Sequence, residues 1–185
     1  MKRAHALELD RLKPHLIEKF QEWIHQQRRF HLASARPLSG EEKSWFDGYF
    51  EKRILDLSRI ASVERIENPE FYRDLRKSGV PLPIDFSNAI GLTLVDCILI
   101  RRDLWSHYPL VISTVFHELV HVVQIDILGL RKHIELYADS LVESGYQYHS
   151  VLFERQAHTL ADRFAGREPP FSVREIVKQG LARGE

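Results

Sequence analysis

The chain has 185 residues, room for one domain with a substantial buried core. Lysine plus arginine and aspartate plus glutamate number 26 each, so no net field points to nucleic acid or an anionic membrane. Cys97 is the single cysteine and excludes an internal disulfide.

Lys2, Arg3 and Glu8 put charge where a signal peptide needs an apolar stretch, and no run approaches the ~18 apolar residues of a membrane span. The expectation is a cytoplasmic protein with neither a nucleic-acid nor a membrane partner, its oligomeric state left open.

Residues 7–30 carry Leu9, Leu12, Leu16, Ile17, Phe20, Trp23 and Ile24 at helical spacing, with Pro14 as a kink or a delayed start. Pro37 and Gly40 mark a connector over 33–40. Ser39 with Glu42 three residues on forms a capping box for a helix reaching about residue 50. Its aromatics, Trp45, Phe46, Tyr49 and Phe50, are assigned to packing.

Residues 60–66 alternate as a strand, and Asn68-Pro69 breaks the chain before a short helix over 71–77. Ser78-Gly79 stops that helix, and the prolines at 81 and 83 require an extended loop. Residues 89–95 and 97–101, dense in Ile, Leu, Val and Thr, read as a strand pair or one bent strand.

A long apolar helix follows over 110–128 and stops at Gly129. Two more cover 132–143 and 150–164, the latter ending at Gly166. Pro169-Pro170 precede a last helix capped by Ser172 with Glu175. The layout is α+β, one domain over 1–185: a helical part over 1–80 packed on a core over 81–166, with a C-terminal helix over 167–185.

The long helix holds the most informative five residues, His117-Glu118-Leu119-Val120-His121, an H-E-x-x-H motif. Positions i and i+4 lie on one helix face, so both imidazoles reach one cation, and Glu118 emerges beside a water bound to it. Buried imidazoles and a carboxylate are costly without a metal or other partners. Hydrolytic zinc keeps three protein ligands and an open position. The candidates for the third are Glu135 and Glu143 on the next helix, Glu154 on the one after, and Cys97 upstream. Glu154 is favoured, because 154 and 158 again share a helix face and one helix then supplies a ligand and a group to orient a ligand.

At HELVHVVQ (117–124) and FERQAHTLADRF (153–164) the chain resembles the gluzincin class of zinc metallopeptidases, and more closely small uncharacterised bacterial proteins predicted to be such enzymes. The resemblance covers about 85–164. It implies a zincin-like domain, mainly helical, with a small sheet ahead of the metal helix. It also implies Zn2+ on His117, His121 and Glu154, with Glu118 as general base for hydrolysis of a peptide or protein substrate. In the class, an aspartate four residues after the ligand glutamate holds a ligand histidine. This chain has His158 there, a departure that removes a negative charge. The class also pairs substrate with an edge strand, here the segment from Asn88 through Ala89 and Gly91 to Val95.

An oxyanion donor is expected among Tyr137, Tyr146, Tyr148, His149 and His158. The alternatives are a metal-stabilised binding module with idle machinery, a deformylase-like amidase using Cys97, and a metal-free helical protein.

Overall fold

The computed structural model describes residues 2–77, 84–145 and 147–183, with side chains from Lys13 onward. Eight helices, α1 (Lys2–Leu32), α2 (Gly40–Trp45), α3 (Lys52–Leu57), α4 (Tyr72–Lys77), α5 (Tyr108–Leu128), α6 (Leu130–Glu143), α7 (Leu152–Ala165) and α8 (Val173–Arg183), surround a four-stranded sheet among the described residues. The strands are β1 (Arg36–Pro37), β2 (Arg59–Val63), β3 (Gly91–Leu94) and β4 (Cys97–Arg101), in the order β1-β2-β4-β3. β2 and β4 run parallel, and the other two pairs are antiparallel. The expected α+β architecture is observed.

α5 is the spine. Pro109 sits in its first turn, where no intrahelical N–H is needed, and Gly129 ends it at φ 76°, a conformation that side chains resist. It packs on α7, α6, α8, β3 and β4, so it is apolar around most of its circumference. By length and composition alone its 21 residues pass for a membrane span, against the sequence expectation that none would. In the fold 67% of that window is buried, which explains the composition without a bilayer.

On one side of α5 the rings of Phe116 and Phe164 stack with centroids 4.3 Å apart, enclosed by Phe46, Tyr49 and Phe171. The aromatics of 45–50 are thus core, as expected. Their helix is shorter than expected. The Ser39–Glu42 capping box forms with both bonds, but α2 stops at Trp45, and Gly48 at φ 78° turns the chain toward α3.

α1 runs through Pro14 and begins well before it, so the delayed start is not observed. The helix lies across α6, β3 and β4. Arg28 holds Asp96 at 2.7 Å, and Lys13 pairs with Asp139. Asp96 follows Val95, a β-branched residue at φ 68° in the two-residue β3–β4 turn. Half-buried Val95 packs against the cluster of Ile17, Ile125, Leu130 and Ile134, and that packing offsets the strain of its backbone.

Two boundaries shift. β2 covers Arg59–Val63 and not 60–66, and β3 begins at Gly91, leaving Asn88 in a 3-10 turn (Phe86–Asn88) capped by Ala89. The sheet also draws β1 and β2 from the first 80 residues, so that part is not purely helical. The loop expected at 80–83 and its Ser78-Gly79 boundary lie outside the described residues.

Candidate metal centre

His117 and His121, one helical turn apart on α5, turn their Nε2 atoms toward each other at 3.1 Å. From α7, Glu154 reaches both: Oε2 lies 3.3 Å from His117 Nε2, and Oε1 lies 3.5 Å from His121 Nε2. Ligands at about 2.0–2.1 Å from a tetrahedral zinc stand about 3.3 Å from one another. The three observed separations straddle that value. Glu154 is 4% exposed, and its Oε2 makes no hydrogen bond to the described residues. A buried carboxylate with one oxygen lacking a donor, its two oxygens each beside an imidazole nitrogen, fits a cation between them.

Two of the three candidate ligands are braced. His121 Nδ1 lies 2.7 Å from Gln124 Oε1, and the Gln124 amide nitrogen donates to the Phe153 carbonyl at 3.2 Å and to Gln156 Oε1 at 2.9 Å. Those two bonds fix the amide so that its oxygen faces His121. Nδ1 then carries the proton and Nε2 the lone pair that a metal needs. Tyr137 donates its hydroxyl to Glu154 Oε1 at 2.9 Å. Burial would raise the Glu154 carboxyl, but His121 and His117 outweigh it and hold it well below the usual range. Burial likewise opposes charge on His121, yet Glu154 lifts that imidazole to about 9. A bound cation would take the place of that proton.

Glu118 follows His117 and faces the sheet. Thr93 Oγ1 on β3 lies 2.8 Å from its Oε2 and 2.9 Å from its backbone carbonyl. Gly91 makes the room, since a Cβ there would come within 2.6 Å of Glu118 Oε1. Burial pushes the Glu118 carboxyl above its usual range, against the pull of His117 and His121.

Among the rival third ligands, Glu135 pairs with Arg131 at 3.2 Å on the outer face of α6, and Glu143 is exposed. Cys97 is buried among Ala61, Val63, Ile66, Leu94 and Leu99 of the sheet core, where burial raises its thiol to about 11. The structure therefore brings Glu154 to the histidines and leaves the other three apart from them.

His158 comes close. His117, Glu154 and His158 offer ligand atoms all within 4.8 Å of one another, and the His158 ring centroid is 4.5 Å from that of His117. Its Nε2 is buried without a hydrogen-bond partner among the described residues. Burial, then the neighbouring His117, lowers its basicity.

Of the remaining donor candidates, Tyr137 is committed to Glu154, and His149 is exposed, its ring 5.6 Å from His158. Tyr148, 38% exposed, lines a cavity with Glu118 and Glu154, and desolvation of its hydroxyl, then the neighbouring Glu154 to which it also hydrogen-bonds, raises its phenol. Tyr146 lies outside the described residues.

Among the described residues β3 is an edge strand, paired with β4 alone. Of the three substrate-strand candidates only Gly91 belongs to it; Asn88 ends the 3-10 turn and Ala89 caps it. Sequence reasoning gave no role to Gln124 or Thr93. Gln124 stood in the quoted motif, and a glutamine inside an apolar helical run, three residues after His121, was the available signal.

No protein-family model matches the chain, and no curated protein or solved structure matches it.

Proposed function

We propose that the protein is a zinc-dependent peptidase with a zincin-like domain. The observation that carries this reading is the convergence of His117, His121 and Glu154 at ligand spacing, with the Glu118 carboxylate beside them on the sheet side. Zinc held by these three side chains would acidify a water to near-neutral pKa and polarise the scissile carbonyl. The chain's own groups supply the rest. Glu118, steered by Thr93 and given room by Gly91, takes the proton of the attacking water and hands it to the leaving amine. Tyr148 donates its hydroxyl to the oxygen that gains charge as water adds. The open edge of β3 takes the substrate backbone by main-chain pairing, leaving side chains to set preference.

One observation favours a second reading. If His158, with its unpartnered Nε2, joins His117, His121 and Glu154 on the ion, four protein ligands close the site. A closed site is structural, and the chain is then a metal-stabilised binding module.

Glu118→Gln separates the two. The peptidase reading expects metal content unchanged and cleavage of unfolded protein slowed by about 10²–10⁴-fold. Cleavage unaffected by the change removes Glu118 from the chemistry. A metal-loaded wild type without activity, stabilised against heat by its ion and unchanged in Glu118→Gln, establishes the closed site.

A further inference from the structure

A cavity of about 170 Å³ adjoins the metal centre. Glu118, His121, Glu154 and Tyr148 line it on the side of the chemistry. Its other walls come from α1, with Trp23, and from α6, with Leu130, Ile134 and Leu141. A cavity of about 150 Å³ with aliphatic and aromatic walls holds a benzene ring, so the space suits one aromatic side chain.

One wall breaks the apolar pattern. His133, 9% exposed, lines the cavity, and its Nε2 is buried without a hydrogen-bond partner among the described residues. Burial pushes this imidazole down to about 3, so it stands neutral. An unpaired ring nitrogen in an apolar wall costs stability unless something pairs with it. The rings of Phe153 and Tyr137 flank it with centroids 4.5 and 6.0 Å away, but the Tyr137 hydroxyl is spent on Glu154.

α1 is held where it completes the wall. Arg28 pairs with Asp96 at the β3–β4 turn, Lys13 pairs with Asp139 on α6, and Trp23 stacks on Phe86 with centroids 5.3 Å apart. These three contacts hold the helix at separate points, against the β3–β4 turn, α6 and Phe86.

We propose that this cavity recognises an aromatic ring bearing a hydrogen-bonding group, a phenol above all, with His133 as its polar partner and α1 as its far wall. Resting on the peptidase reading, the ring is a tyrosine side chain beside the scissile bond, which the apolar walls and Glu118 would hold within one residue of the reacting carbonyl.

The test uses the full chain in two assays. Zinc-loaded protein is given a peptide library varied on both sides of the cleaved bond, and phenol and toluene are titrated into the protein by NMR. At one position tyrosine should exceed alanine by at least about tenfold, and His133→Phe should lower tyrosine relative to phenylalanine by about tenfold. Ala138→Phe, which adds a ring to a residue lining the cavity, should abolish phenol binding and turn the preference to small residues while metal content holds. Ala138→Leu serves the same purpose if the larger side chain prevents folding.

Cleavage with no ring preference overturns the cavity's role and leaves the peptidase reading standing. Phenol binding that Ala138→Phe removes, in a protein that cleaves nothing, supports the ring site and defeats the peptidase reading. Phenol and toluene both failing to bind wild type overturns the inference.

Discussion

Two clusters of opposite charge stand on α5 and differ in one respect. At its C-terminal end Asp126 accepts from Arg53 Nη1 at 2.9 Å and pairs also with Arg174, which holds Glu51 at 2.9 Å. Between them, the two guanidinium groups supply donors to both Asp126 carboxylate oxygens, so that carboxylate is closed, although Arg174 Nε is itself buried without a hydrogen-bond partner among the described residues. Five residues earlier, His121 and His117 face Glu154 with two ring nitrogens 3.1 Å apart and a carboxylate oxygen left without a donor. The same helix thus carries one carboxylate supplied with donors on both oxygens and faces another that a cation would complete. Charge clustering is common to both. A buried carboxylate oxygen left without a donor beside imidazole nitrogens is what sets the candidate site apart.

The contrast sharpens with substitutions that loosen one cluster at a time. The largest effect is expected from Gln124→Leu, which keeps every ligand but frees His121 to rotate and lose its tautomer. Zinc affinity, read by competition with a chelating dye, should fall about 10–100-fold. Unchanged affinity would mean that the Gln124 bonds position nothing.

Acid and alkali should separate the metal-loaded and metal-free forms. Glu154 raises His121 to about 9 in the metal-free fold, above its ordinary 6.5. A raised folded value contributes stability fully present below the unfolded value and lost as pH rises through the folded one. Chelated protein should therefore lose thermal stability between about pH 6.5 and 9. Metal affinity should rise over the same window, because neutral imidazoles bind the ion, and fall on acidification. Calorimetry in buffers of different ionisation heat should show a proton released on binding at pH 7 and none well above pH 9.

The smallest effect belongs to the closed cluster. Arg53 first, and Arg174 with it, hold the Asp126 carboxyl down at about 2. Its stability contribution is present above the ordinary 3.8 and lost as pH falls through about 2. At 23% side-chain exposure, Asp126→Asn should cost about 1 kcal/mol or less in urea unfolding and leave metal binding untouched. A loss of metal in that variant would join the two clusters and break the comparison.

Much of this was legible in the residues. The i, i+4 histidines need only a helix to converge, and Pro109 and Gly129 delimit that helix unaided. The Ser39–Glu42 box and the glycine at 166 carried similarly local signals. Glu154 was readable as one of four options, because helical spacing tied it to 158, but its choice over Glu135 and Glu143 depended on how α6 and α7 fold back on α5.

What escaped the sequence is non-local. The parallel pairing of β2 with β4 joins segments nearly forty residues apart and leaves no periodic trace. Gly91 was expected in a strand, and it begins β3. Its other task, making space for Glu118, needs the distance across from β3 to α5. The end of α2 at Trp45 was missed because Phe46, Tyr49 and Phe50 keep helical spacing while serving a turn. His158 remains the departure with most at stake, since its nearness to His117 serves the open and the closed site alike.

Metal stoichiometry, read by native mass spectrometry on protein refolded with equimolar zinc, tests the central claim most directly. Wild type and Asp126→Asn should each carry one zinc per chain, and Glu154→Ala none. Wild type without zinc, or Glu154→Ala holding it as tightly as wild type, would contradict the account.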